Sequence, residues 1–158
     1  PFYLTWKAKQ HGVETRFIEL AGEVNTNMPA WVIEKAVVGL QKQEKNLSGS
    51  KVLILGMAYK KNVDDLRETP SLEMIRLLDD MGAHVNYHDF YIPVLYKTRK
   101  YDYDLQSVDL KAGIKEYDLL ILATDHDKYD YNFLQNESQL IVDTRGKLDH
   151  TLSNVIAA

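Results

Sequence analysis

Four short apolar runs constrain the fold of this chain more than any other feature: KVLIL (51–55), AHVNYH (83–88), DLLILAT (118–124) and QLIVDT (139–144). KVLIL, DLLILAT and QLIVDT are continuous, as expected of parallel strands covered on both faces. AHVNYH alternates Ala83, Val85 and Tyr87 with His84, Asn86 and His88, the pattern of a half-buried strand. Between the first two runs lies a marked helix: Thr69 caps it, Pro70 opens it, Leu72, Ile75 and Leu78 form its apolar stripe, and Gly82 stops it. Strand–helix alternation of this kind predicts right-handed βαβ units and an α/β fold with a Rossmann-like, doubly wound parallel sheet. The stretch 90–117 is polar and rich in tyrosine, and predicts only a short helix near 108–116.

Residues 1–47 read differently. Phe2, Tyr3, Trp6 and Gln10 fall at helical spacing, with Gly12 as the stop. After a TRFIELAG connection, NTNMPAWVIEKAVVGLQKQEK predicts a second helix, with Asn25 or Asn27 as its cap and Pro29 in its first turn. Met28, Trp31, Val32, Ile33, Ala36, Val37, Val38 and Leu40 cover more than one face of it. A helix so broadly apolar needs two partners, its own domain and another subunit. NLSGS is the linker, 51–150 the strand-bearing domain and 151–158 a tail.

A net charge of −4 argues against general nucleic-acid or membrane-surface binding. There is no apolar stretch of membrane-spanning length and no signal-peptide pattern, so a cytoplasmic address is expected. With zero Cys the chain has no disulfide, no thiolate metal site and no cysteine nucleophile. His84 and His88, four apart on a strand, make no metal pair, and surface positions are expected for them. The chain starts at Pro1 and ends in VIAA, which reads as a fragment of something longer.

In doubly wound sheets ligands bind beyond the carboxyl ends of the strands, where the strand order reverses. The sequence puts Met57, Ala58, Tyr59 and Lys60 after the first strand and Asp89 after the second. Asp125 and His126 follow the third, and Arg145 the fourth. Lys60 and Arg145 therefore approach one edge from segments distant in sequence, which suits a diphosphate. Against this, a lone lysine after a strand is usually solvated, and loop arginines often pair with surface acids. The first turn is GMAYKK and not G-x-G-x-x-G, so the dinucleotide fingerprint is absent and Asp89 is expected in a turn or cap role. Asp64, Asp65 and Glu68 beside Arg67 and Lys61 read as local charge balancing.

The motifs resemble a known family. DLRETP (65–70), preceded by GMAYKKN after an apolar strand, looks like the carboxyl-terminal domain of the UDP-glucose/GDP-mannose dehydrogenases. PFYLTWKA and RFIELAGEVN resemble the branch that oxidises UDP-N-acetylhexosamines to uronic acids. VDTRG (142–146) resembles the last-strand motif, which usually reads Asp-x-Arg-Asn, with Gly146 in place of the asparagine.

The resemblance implies that residues 1–47 end a central helical dimerisation region and that 51–150 bind the UDP-sugar, with NAD held mainly by an amino-terminal domain outside this sequence. It implies that Tyr59, Lys60 and Arg145 contact the substrate, while Arg67 reaches across the cleft toward NAD. The family's catalytic cysteine and aspartate would lie just before Pro1, so the chain alone is expected to be inactive. Competing readings are a non-catalytic nucleotide-binding or dimerisation module and a receiver-type phospho-acceptor domain. The last needs an acid pair directly after the first strand, where Met57-Ala58-Tyr59-Lys60 stands.

Overall fold

A computed structural model describes residues 2–158. The chain begins with helix α1 (Phe2–Gln10) and a long helix α2 (Arg16–Lys42), followed by strand β1 (Lys51–Leu55). Helix α3 (Pro70–Asp80) leads to β2 (His84–His88), and α4 (Leu110–Gly113), continued by a 3-10 turn (Ile114–Glu116), leads to β3 (Leu119–Leu122). Helix α5 (Tyr131–Glu137), β4 (Ile141–Asp143) and β5 (Val155–Ala157) complete the fold. The strands form one sheet in the order β2-β1-β3-β4-β5, every neighbouring pair parallel. The direction of winding reverses between β1 and β3, which is the topological switch point.

Alternate residues of the central strands feed two cores. Val52, Ile54, Leu119 and Ile121 pack with α2 and α3, through Ile33, Ala36, Leu40, Leu72, Ile75 and Leu78. Leu53, Leu55, Leu120 and Leu122 face the opposite way, against Leu134 of α5, Ile114 and Tyr129. Helix α3 follows the expected chemistry: the Thr69 hydroxyl accepts the Ser71 N–H, Pro70 is the first helical residue, and Gly82 turns the chain at φ +81°.

Two expectations need correction. The TRFIELAG segment is helical, so α2 runs unbroken from Arg16 and carries Pro29 in its interior, not in its first turn. Proline removes the donor that Asn25 carbonyl would use, but Pro29, Val32, Ile33, Ala36 and Leu40 are buried, and that packing outweighs the lost bond. The 151–158 tail contains β5, which pairs with β4 in register Ile141–Val155. With only three residues and a single buried one, β5 is too short to show a period.

At the switch point the loops after β1 and β3 touch through Gly56. Its φ is +86°, and a Cβ there would lie 2.6 Å from the Thr124 carbonyl oxygen. Gly56→Ala combines left-handed strain with a backbone collision, and should cost at least about 2 kcal/mol of unfolding free energy. Urea denaturation measures this, and an unchanged midpoint would show that the two loops are not in contact.

Candidate functional site

All five strands are parallel, so their carboxyl ends share one edge, and the loops that follow β1 to β4 build its surface. The β1 loop, 56–69, is long, and its first residues are tied to the β3 loop and to α3. Thr124 donates its hydroxyl to Ala58 carbonyl at 2.6 Å, and buried Ser71, near the start of α3, donates to Gly56 carbonyl at 3.1 Å. The start of α3 is thus tied to the first residue of the β1 loop. The long connection between them is not the short glycine turn on which a pyrophosphate rests in a dinucleotide site.

Two buried aspartates organise the edge. Asp89, after β2, is 4% exposed. Its Oδ2 accepts the N–H groups of Met57 (2.6 Å) and Ala58 (3.1 Å), and its Oδ1 those of Tyr91 (2.7 Å) and Ile92 (3.2 Å). Asp89 therefore has the turn role expected of it. Asp143, the last residue of β4, does the same for the loop that follows: Oδ1 accepts Arg145 N–H, and Oδ2 accepts those of Lys147 and Leu148. The His150 imidazole lies 3.0 Å from Asp143 Oδ2.

Burial by itself would raise both carboxyls. For Asp89 the bonds from His126, Tyr91 and Met57 outweigh burial, and for Asp143 those from Leu148, Arg145, His150 and Lys147 do, so both lie below the ordinary carboxylate range.

The expected site residues sit on this scaffold. Tyr59 is half exposed, and its N–H donates to Asp65 carbonyl at 2.8 Å. Lys60 is exposed, with its ammonium 5.9 Å from the centre of the Tyr59 ring. Arg145 is exposed and donates from Nε to Ala123 carbonyl at 2.7 Å, which leaves the two Nη groups for a ligand. Lys60 follows β1 and Arg145 follows β4, with β3 between them, so their strands are roughly 10 Å apart. Arg67 lies further along the same loop. Its guanidinium holds both Asp65 oxygens, at 2.9 and 2.8 Å, in an exposed pair. Lys61 pairs with Asp127 at 3.1 Å. Local charge balancing therefore holds for Arg67 and Asp65, whereas Lys61 pairs outside the acidic stretch.

His84 is exposed as expected, but His88 is buried. The Tyr129 hydroxyl donates to His88 carbonyl (2.9 Å) and lies 3.1 Å from its Nδ1, and burial lowers the His88 pKa. Alternation on β2 ends at Tyr87 because the loop carrying Tyr129 covers the strand end from the second face. No group of three or more metal-ligating side chains occurs among the described residues. No helix among them is long and apolar enough to cross a membrane. Sequence reasoning gave no role to His126, which is fully buried among these loops. The signal available was a histidine directly after an apolar strand at the ligand edge.

Gly146 stands where the family motif usually has asparagine. Its φ is +65° and the space beside it is open. Asparagine is among the side chains that best tolerate this conformation, so either residue suits the turn.

Fold and edge together define a Rossmann-like domain that lacks the glycine turn of a dinucleotide site. Residues 53–150 match the UDP binding domain of the UDP-glucose/GDP-mannose dehydrogenase family, and the chain belongs to that family. It is 31% identical over 160 residues to the UDP-N-acetyl-D-mannosamine dehydrogenase of Methanocaldococcus jannaschii, covering 96% of this chain and 34% of that protein. It is 28% identical to the UDP-N-acetyl-D-glucosamine 6-dehydrogenase of Pseudomonas aeruginosa, covering 96% of this chain and 34% of that protein. The fold matches NDP-N-acetyl-D-galactosaminuronic acid dehydrogenase from Methanosarcina mazei with a TM-score of 0.79 at 24% identity, over 99% of this chain and 35% of that one. The chain spans about a third of the length of these relatives.

Because both buried aspartates have lowered pKa values in the folded protein, their stabilisation is present above the unfolded carboxylate pKa of about 3.9 and is lost as pH falls through the folded values. Unfolding free energy should therefore decline steadily in acid below about pH 4. Asp89→Asn should cost on the order of 3 kcal/mol at neutral pH and flatten this acid limb. Chemical denaturation across pH measures both, and an acid limb unchanged in the variant would refute the assignment.

Proposed function

We propose that this chain is the substrate-binding carboxyl-terminal part of an NAD-dependent nucleotide-sugar 6-dehydrogenase. That enzyme oxidises a UDP-hexose or UDP-N-acetylhexosamine to its uronic acid for surface polysaccharide synthesis. The observation that carries the reading is the match of residues 53–150 to a UDP binding domain, whose ligand edge bears Lys60 and Arg145 on organised loops. Lys60 offers a point charge and Arg145 a two-pronged donor to the diphosphate, beside the half-exposed Tyr59.

NAD supplies the hydride acceptor in this reading and is held mainly by another domain, a reading supported by the absence of the G-x-G-x-x-G turn after β1. Arg67, once released from Asp65, is the residue of this chain proposed to touch it. One loop would then contact both ligands, Tyr59 and Lys60 on the substrate and Arg67 on the cofactor. With zero Cys in the chain, the covalent chemistry of the oxidation belongs outside it.

A homodimer through α2 fits the same reading. Phe17, Leu20, Val24, Trp31 and Val38 lie along one stripe of that helix, and all are exposed. Their spacing of three, four and seven residues is that of a helix-pairing seam. The 158-residue chain should therefore self-associate at high concentration, and sedimentation showing monomer only would count against the seam.

Kinetics in the full-length dehydrogenase test the division of the loop. Losing one charge-assisted hydrogen bond costs roughly 1.5–3 kcal/mol, so Lys60→Ala or Arg145→Ala should raise KM for the sugar nucleotide about 10- to 100-fold. KM for NAD should stay nearly unchanged. Arg67→Ala should show the opposite bias. An Arg67→Ala effect confined to the sugar nucleotide would show the assignment to be wrong.

A further inference from the structure

His126 has no solvent exposure, yet both of its ring nitrogens are engaged. The Asn62 backbone N–H donates to Nδ1 at 2.9 Å, so Nδ1 carries a lone pair and the ring proton belongs on Nε2. Nε2 then donates to Asp89 Oδ2 at 3.0 Å. That same oxygen accepts the N–H groups of Met57 and Ala58. One imidazole and one carboxylate thus tie Asn62 back to Met57 and Ala58, and Tyr59, Lys60 and Lys61 form an arch held at both feet.

The far foot is held by more than the ring. Asn62 has φ +62°, a left-handed conformation that asparagine tolerates better than most residues when its side chain hydrogen-bonds locally. Its side chain is engaged as well: Nδ2 donates to Asp127 Oδ2 at 2.6 Å and Oδ1 accepts Asp127 N–H at 3.1 Å. Asp127 directly follows His126, so both anchors of this foot come from the loop after β3. The Tyr131 hydroxyl donates to His126 carbonyl at 2.8 Å and fixes the backbone that carries the ring.

We infer that His126 is a positioning residue for ligand binding, whose Nε2–H form holds the Tyr59–Lys61 arch in the conformation that receives the diphosphate of a sugar nucleotide. The inference rests on the assignment of Tyr59 and Lys60 to that ligand. A preformed arch spares the ligand the cost of ordering it, so the benefit appears as affinity. A histidine serving stability alone would change how much protein is folded, and not how tightly the folded protein binds.

Two variants separate the feet. His126→Gln can put its amide nitrogen where Nε2 donates to Asp89 but leaves no acceptor at the Nδ1 position for Asn62, while His126→Asn can accept from Asn62 but does not reach Asp89. Calorimetric titration of the 158-residue chain with UDP, well below each variant's thermal transition, gives affinity and stoichiometry separately. Each variant should bind UDP about 10-fold more weakly at unchanged stoichiometry, the effect of one lost hydrogen bond. Unchanged affinity with reduced stoichiometry would make His126 merely structural and overturn the inference while leaving the UDP assignment intact. Failure of the unaltered chain to bind UDP would overturn both. If a variant does not fold, long-range ¹⁵N spectra of the unaltered chain decide. A proton on His126 Nε2, together with a slowly exchanging Asn62 amide, supports the clamp, and a proton on Nδ1 overturns it.

Discussion

The Asp89 carboxylate is the interaction on which the ligand edge depends. Four backbone N–H groups and one imidazole converge on it, from the loops after β1, β2 and β3. A carboxylate buried to this degree is tolerable only when its lone pairs are filled by donors, and here they are. Four of the donors are backbone groups of the loops, so satisfying the charge also shapes the surface. Asp143 repeats the arrangement after β4, with three backbone donors and His150. Cations at the edge are thereby carried on loops whose conformation is set by buried anions. Lys60 and Arg145 themselves stay exposed to solvent.

This arrangement also separates the domain from a dinucleotide-binding Rossmann unit of the same topology. In such a unit a tight glycine turn leaves the first helix's amino terminus open to a pyrophosphate. Here Gly56 brings the β1 loop against Thr124, and Ser71 ties the start of α3 to Gly56. In the proposed reading, recognition of an anion moves from helix dipole and backbone to side chains displayed at the edge. Lysine and arginine can do this from exposed positions, because a diphosphate supplies enough charge to draw them out of solvent.

Much of this was legible in the sequence, and the reasons differ from element to element. KVLIL marks β1 at its observed boundaries, since a continuous apolar run of that length suits a buried parallel strand. Helix α3 was legible from Thr69, Pro70 and Gly82, which act through local backbone chemistry. The body of helix α2 was legible too, but its start was not, because Pro29 signals a helix start locally and only tertiary packing allows it within the helix. Strand β5 was hidden by its length. Lys60 and Arg145 could be placed on one edge because parallel topology dictates it. His126 could not be given a role, since its partners are backbone groups of Asn62 and a carboxylate 37 positions away, and no spacing rule encodes such contacts. Gly146 is the reverse case: its departure from the family motif becomes intelligible once its backbone angle is known.

The central claim is that a nucleotide diphosphate binds at the carboxyl edge of the sheet, on the arch after β1 and the turn after β4. The most direct measurement is a UDP titration of the ¹⁵N-labelled chain followed by amide chemical shifts. The account predicts that perturbations concentrate on 58–62 and 144–147, with α1, α2 and the β5 edge unaffected. Perturbations centred on α2, or on the start of α3 with residues 58–62 and 144–147 silent, would contradict it.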